Sequence, residues 1–137
     1  MSTEQQKEVF RRATEEVWND GNSAAVEIFF SSDFVNHNPF GGTSPDRAGM
    51  IQAVRLLHIA LPDFHSTIED MIAEGDKLVA RTTLHGTHLG ELLGIPPSGA
   101  RVAMTTISIV RITNGQILER WNIADTLGLL RQIRAFT

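Results

Sequence analysis

The stretch ITNGQILERWNIADTLGLLRQI, residues 112–133, changes its periodicity at Asp125. Before Asp125 the apolar residues alternate with polar ones, which is typical of a strand whose side chains point to opposite faces. After Asp125 the apolar residues recur at the spacing of an amphipathic helix. The Asn-Gly pair at 114–115 favours a type I′ hairpin turn. The stretch therefore predicts a hairpin, a strand over 116–125 and a closing helix over about 126–135.

The rest of the chain shows the same succession of helical and strand-like periods. Helical spacing predicts three earlier helices: one after the capping residue Ser2, a short one over about 23–31, and one that starts at Ser44 and ends before Pro62. Alternation predicts three further strands, at 65–73, 77–88 and 101–112. Helices followed by a meander of long antiparallel strands indicate an α+β fold. We expect residues 1–137 to form one domain, a cone-shaped barrel in which a curved, mainly antiparallel sheet is wrapped by about four helices around an interior pocket.

The composition excludes several kinds of chemistry. The chain has 137 residues, a net charge of −4, and neither cysteine nor tyrosine. Disulfides, thiolate nucleophiles and cysteine metal sites are therefore impossible. No basic run or stripe is present, which argues against nucleic acid and anionic membranes as partners. The polar N-terminus does not resemble a signal peptide, and no apolar run approaches the roughly 20 residues that span a bilayer, so we expect a cytoplasmic protein.

Asp125 stands where the predicted strand meets the predicted helix. Alternation puts it on the same face as Ile117, Trp121 and Ile123, and we expect this face to contact the core or the pocket. A carboxyl group at the rim of an apolar pocket can serve as a general acid or base near neutral pH. Asp is also a favoured N-cap residue, so Asp125 could simply cap the last helix. The two roles are compatible, and the pattern alone does not choose between them.

The HGTH sequence at 85–88 suggests a metal site at first sight. On a regular strand, however, His85 and His88 point to opposite faces, so a single ion cannot bind both without a bulge. The sequence also lacks an HExxH motif and clustered carboxylates. We therefore predict no metal site and no cofactor.

Three other polar residues are candidates for substrate binding. Arg81 is a lone arginine among small and apolar neighbours, and it either pairs with an acid or donates hydrogen bonds to a substrate oxygen. His37 and Asn38 lie in the segment FVNHNPF, where they either stabilise the loop or line the mouth of the pocket. No nucleophile motif, phosphate-binding loop or dinucleotide fingerprint is present. The available chemistry is therefore acid–base catalysis without a cofactor.

Several segments together resemble the SnoaL-like polyketide cyclases, the ester cyclase group of the nuclear transport factor 2-like superfamily. The likeness covers nearly the whole chain, and the segments that carry it are FVNHNPF (34–40), PDF (62–64), the run from IEDMIAEGDK to PPSGARV (68–102), and the stretch 112–133. The resemblance implies a cone-shaped barrel that closes a polyketide ring by intramolecular aldol condensation, without metal or cofactor. It implies that Asp125 is the acid and base, and it matches Trp121, His88 and His37 to motif positions of the family.

The resemblance has two departures. The family often has an aromatic residue where Thr82 stands, and His85 and His65 are outside its usual pattern. The pocket could therefore accept a different substrate.

We predict that Asp125 removes a C–H proton from a small apolar or aromatic carbonyl substrate and later returns a proton to the new alkoxide. His88, Arg81 or Asn38 would stabilise the developing oxyanion, and Trp121 would pack against the substrate. Isomerisation, dehydration and epoxide opening are alternative reactions for the same fold, and binding without turnover is a further alternative. By the same resemblance, a homodimer is possible.

Overall fold

The computed structural model describes residues 1–134 as four α-helices and five strands. The helices are α1 (Thr3–Ala13), α2 (Val26–Phe29), α3 (Arg47–Ala60) and α4 (Thr126–Arg134). The strands are β1 (Phe30–Asn36), β2 (His65–Glu74), β3 (Lys77–Thr87), β4 (Arg101–Thr113) and β5 (Gln116–Ala124). Within residues 1–134 no helix is both long and apolar enough to cross a membrane.

The five strands form one mixed, curved sheet with the order β1-β5-β4-β3-β2. Strands β2 to β5 form the expected antiparallel meander, and β1 pairs with β5 in parallel. The helices cover one face of this sheet, so the predicted α+β cone with a curved sheet is confirmed. Strand β1 begins within the segment 23–31 for which the sequence predicted a short helix.

The turn between β4 and β5 has the predicted geometry. Asn114 and Gly115 both have positive φ angles, 53° and 78°. A type I′ turn requires positive φ at both central positions, and Asn and Gly adopt it at the lowest cost.

Two helix boundaries differ from the prediction. Helix α3 begins after Asp46 rather than after Ser44, because the Asp46 carboxylate accepts hydrogen bonds from the Gly49 amide at 3.0 Å and from the Ser44 hydroxyl at 2.7 Å. Both hydrogen bonds lower the pKa of Asp46, and the bond from Ser44 has the larger effect. Helix α2 ends early because Phe30 already belongs to β1.

A β-bulge in β5 changes which side chains face the interior. Arg111 of β4 pairs with Glu119, but the next residue, Ile112, pairs with Ile117. Leu118 is therefore an extra residue, and the alternation of side chains reverses there. The predicted inner face, with Trp121, is wrong beyond the bulge: the interior side chains are those of Arg120, Asn122 and Ala124.

The buried apolar side chains form two clusters. One contains Phe29, Phe30, Met50, Val110 and Ile117, and the other contains Leu57, Leu61, Phe64, Leu84 and Leu129. Trp18 packs against both clusters. The two clusters enclose a space that side chains do not fill.

Candidate functional site

An interior cavity of about 400 Å³ lies between the sheet and the helices. Its wall is mostly apolar and aromatic, with Phe10, Trp18, Phe30, Met50, Leu57 and Phe64 among the lining residues. A volume of this order accommodates a small organic ligand. The cavity therefore provides the interior pocket that the curved sheet predicted.

The cavity opens at the end of the cone where β5 meets α4. The lining residues there are solvent-exposed: Asn38 and Gly41 from the loop after β1, Leu93 from the connection after β3, and Thr126 at the start of α4. At the opposite end the lining residues Phe30, Val110 and Ile117 are buried. A ligand would enter between the two loops and extend along β5.

Arg120 lies between the mouth and the closed end of the cavity. Its side chain is buried from bulk solvent, and the accessible surface that it keeps faces the cavity. Burial lowers the pKa of Arg120 to about 10, so the guanidinium is still charged at neutral pH. It forms no ion pair with any carboxylate of residues 1–134, and its guanidinium carbon lies 5.9 Å from the centroid of the Trp18 ring.

Three asparagine side chains surround Arg120 on the cavity wall. Each uses its amide oxygen as an acceptor: Asn36 from the Asn38 amide (3.1 Å), Asn38 from the Asn122 amide (2.9 Å), and Asn122 from the Ser108 hydroxyl (2.7 Å). Asn36 is the Cα partner of Arg120 across the β1–β5 pair. We call Asn36, Asn38, Arg120 and Asn122 the donor seat.

The donor seat presents hydrogen-bond donors to the cavity. The amide nitrogens of its three asparagines donate to no residue within 1–134, and the guanidinium can only donate. Thr14, Ser66, Thr82, Thr106, Ser108 and Thr126 are the other polar lining residues, and no carboxylate or histidine of residues 1–134 lines the cavity. The seat therefore favours a ligand that brings acceptor oxygens or negative charge.

Asp125 lies at the rim of the cavity rather than in its wall. Its Oδ1 accepts a hydrogen bond from the Gly128 amide at 3.0 Å, so it is the N-cap of α4, as one of the two interpretations predicted. The residues on either side of it, Ala124 and Thr126, line the cavity, whereas Asp125 is solvent-exposed. Its catalytic role stays a prediction.

His88 is fully buried behind the mouth. It follows β3 on the inner face of the sheet, and its Nδ1 accepts a hydrogen bond from the Ser98 amide at 3.1 Å. Nδ1 is therefore unprotonated, and the proton is on Nε2, which has no partner within residues 1–134. His88 does not line the cavity, and the contact that it makes secures the connection from β3 to β4.

His37 and Trp121 meet on the outer face of the sheet. Their rings stack with centroids 4.8 Å apart and an interplanar angle of 9°, and His37 Nε2 lies 2.9 Å from Glu119 Oε2. Arg81 is solvent-exposed on the outer face of β3, because its neighbours Thr82 and Leu84 point into the cavity. The structure therefore does not bring His37, Trp121 and Arg81 together with the cavity.

Among the residues predicted from the sequence, Asn38 alone lines the cavity. Arg120 and Asn122 were assigned to the outer face because regular alternation was extended through Leu118, and no sequence pattern marks a bulge at that residue. Asn36 was missed because the pairing of β1 with β5 was not predicted. No group of three His, Asp or Glu side chains within residues 1–134 could hold a metal ion.

Comparison with known proteins identifies the family. A model of the family described as SnoaL-like polyketide cyclase matches residues 8–133. The chain belongs to the SnoaL-like polyketide cyclase family. It is 31% identical to the aklanonic acid methyl ester cyclase DnrD of Streptomyces peucetius over 97% of this chain and 92% of that protein. It is also 34% identical to the nogalonic acid methyl ester cyclase of Streptomyces nogalater over 85% of this chain and 88% of that protein.

A solved structure agrees with this assignment. The structure of TsrD from Streptomyces laurentii superposes with a TM-score of 0.90 and 29% identity, covering 99% of both chains. The predicted resemblance and the predicted SnoaL-like cyclase enzyme are confirmed at the level of the family. In this SnoaL-like chain the polar wall of the cavity is the donor seat, with Asp125 at the rim.

Proposed function

We propose that the protein closes a ring in a polyketide substrate by intramolecular aldol addition inside the cavity, without a cofactor. The observation that carries the proposal is the mostly apolar cavity of about 400 Å³, whose wall includes the donor seat. The chain that forms this cavity belongs to the SnoaL-like family. The two relatives are named for aklanonic and nogalonic acid methyl esters. A carbonyl-rich compound with an apolar or aromatic body fits the same wall.

The proposed reaction begins with a proton transfer at the rim. The Asp125 carboxylate removes a proton from a carbon activated by neighbouring carbonyl groups, which leaves an enolate. The electron pair of the enolate forms a C–C bond to another carbonyl carbon of the same molecule. The oxygen of that carbonyl becomes an alkoxide and receives a proton from Asp125, so the product is an isomer of the substrate.

The amide groups of Asn38 and Asn122 are suited to stabilise the alkoxide. They are joined by the hydrogen bond from the Asn122 amide to Asn38 Oδ1, and Asn122 lies on β5 three residues before Asp125, which follows the strand. Fixed donors in a site shielded from water stabilise developing charge more strongly than water does. The predicted catalytic role of His88 and the predicted substrate contacts of His37, Arg81 and Trp121 remain proposals.

The test measures cyclisation of aklanonic and nogalonic acid methyl esters by wild type and by Asp125→Asn. Asn is as good an N-cap residue as Asp, so this variant removes the carboxylate and retains the cap of α4. We expect kcat to fall by about 10²-fold or more, the usual contribution of a general acid–base group. Asp46→Asn is the matched control, since Asp46 caps α3 and does not line the cavity. Full activity in Asp125→Asn would refute this mechanism.

Binding without turnover is the second candidate function. It is favoured by the absence of carboxylates and histidines from the lining within residues 1–134. Saturable binding of both esters without any conversion would support it. The predicted cytoplasmic location is also kept as a proposal, and cell fractionation tests it.

A further inference from the structure

Arg120 is a buried cation with no counter-charge in the described chain. Burial of an unpaired charge is unfavourable, and proteins normally pair such a group with an acid. The acids nearest to it in sequence are unsuited to this role, because Glu119 points to the outer face and pairs with Arg111 and His37, and Asp125 caps α4. Within residues 1–134 no acid neutralises Arg120, and a ligand in the cavity is placed to supply the counter-charge.

The donor seat restricts the chemistry of that ligand. Asn36 is opposite Arg120 across the β1–β5 pair, and Asn122 follows Arg120 on the same inner face of β5. Asn36 is only 5% exposed, and its amide nitrogen has no acceptor within residues 1–134. A guanidinium and an amide on adjacent strands of one cavity wall match a planar carboxylate, whose two oxygens each accept more than one hydrogen bond.

The surroundings of the seat restrict the body of the ligand. The Trp18 ring lies 5.9 Å from the guanidinium carbon of Arg120, and apolar side chains close the inner end of the cavity. A ligand that fills this space needs an aromatic or apolar body directly attached to its charged group. An inorganic anion would pair with Arg120 and leave the apolar wall uncovered.

We propose that Arg120 and Asn36 of the donor seat bind the carboxylate of an aromatic or polyketide acid, so that this protein prefers free acids to methyl esters. The relatives named above are methyl ester cyclases, and the preference would distinguish this chain from them. The inference deepens the proposed function, because it names the charged group of the substrate in the same cavity. Binding can be measured without turnover, so the carboxylate preference and the proposed cyclisation can be tested separately.

Calorimetric titration of the full chain at pH 7 tests the proposal with 2-naphthoate, its neutral methyl ester and 2-naphthol. These probes share one fused-ring body and differ in the charge of the oxygen group. We expect wild type to bind 2-naphthoate about 10-fold or more tightly than either neutral compound. Equal affinity for the acid and the ester would overturn the proposal.

Two variants test whether the donor seat causes the preference for 2-naphthoate. Arg120→Met keeps a side chain of similar length without the charge, and it should lose the preference for 2-naphthoate over the methyl ester. Arg55→Met is the matched control, because Arg55 is exposed on α3 and does not line the cavity. A loss of naphthoate binding of the same size in both variants would overturn the assignment.

Arg120→Lys provides a second test if Arg120→Met does not fold. Lysine retains the charge without the planar pair of donors, so we expect a preference intermediate between those of wild type and Arg120→Met. Cyclisation of esters in a protein that has no preference for naphthoate would leave the proposed function intact and refute this inference. Selective naphthoate binding in a protein that cyclises neither acids nor esters would support this inference and refute the proposed function.

Discussion

Arg120 retains a positive charge inside a wall that is otherwise neutral. The low pKa that its burial produces is a measure of how poorly the folded protein solvates it. A residue of this kind reduces the stability of the fold, and chains retain it where binding needs it. Stability and ligand binding are therefore in direct opposition at Arg120.

This opposition gives a prediction about stability in the absence of ligand. Arg120→Met should raise the free energy of unfolding by about 1–3 kcal/mol, because it replaces an unpaired buried charge by an apolar side chain. Urea denaturation of the ligand-free protein measures the change. Arg55→Met should stay within about 0.5 kcal/mol of wild type, as exposed substitutions usually do. A clear loss of stability in Arg120→Met would mean that Arg120 has a structural partner after all.

At the scale of the elements, β5 connects the cavity with the outer face. Its inner residues Arg120 and Asn122 belong to the donor seat, and its outer residue Glu119 bonds to both Arg111 of β4 (2.7 Å) and His37 after β1 (2.9 Å). Arg111 also pairs with Asp76 in the turn between β2 and β3, at 2.7 Å. This network links the segments on both sides of β5 across the outer face of the sheet.

The network predicts a pH-dependent contribution to stability. Hydrogen bonds from His37 and Arg111 hold the pKa of Glu119 below its ordinary value of 4.5. Because the pKa is lower in the folded state, the contribution of Glu119 is complete above about pH 4.5 and is lost as the pH falls through the folded-state pKa.

Denaturation of wild type and Glu119→Gln at pH 7, 5, 4 and 3 measures this contribution. We expect wild type to be more stable at pH 7 and 5, and the difference to shrink at pH 4 and 3. Glu69→Gln is the matched control, since Glu69 is an exposed residue of β2 with no ion pair within residues 1–134. A difference that is independent of pH would contradict the role assigned to the carboxylate.

The elements were predictable from the sequence to the extent that their periodicity is regular. The strands β2 to β5, helix α4 and the turn at 114–115 all follow from local patterns of apolar and turn residues. The extra residue Leu118 leaves no mark of this kind, because a bulge is decided by how two strands pair and not by composition. One undetected residue was sufficient to assign Arg120 and Trp121 to the wrong faces.

At the scale of the whole molecule, the interior contains a cavity and the outer face of the sheet carries an apolar patch. The pattern of apolar and polar residues indicates which side chains face inward. This pattern is the same whether the interior is packed or contains a cavity. For this reason the cone and its pocket were predicted from the succession of elements, while most of the polar lining was not. On the outer face, strands β4 and β5 have three exposed isoleucines, Ile107 (49%), Ile109 (37%) and Ile123 (73%).

These isoleucines support the proposed homodimer. Ile107 is opposite Ile123 across the β4–β5 pair, and Ile109 is opposite Trp121, so they form one apolar patch. Exposed patches of this kind commonly form interfaces. We expect sedimentation analysis to find a dimer for wild type and a monomer for Ile123→Glu, with Ile59→Glu on the exposed side of α3 as the matched control. A monomeric wild type would refute the dimer.

The parallel pairing of β1 with β5 has a consequence for synthesis of the protein on the ribosome. Asn38 and Asn122 are joined by a hydrogen bond although they are 84 residues apart in the chain. The meander from β2 to β4 contains only neighbouring contacts and can pair while translation continues, whereas β1 has no partner until β5 has left the exit tunnel. Residues on both sides of the cavity are thus brought together in one of the last steps of folding, and a chain terminated before β5 would contain Asn36 and Asn38 without Arg120 and Asn122.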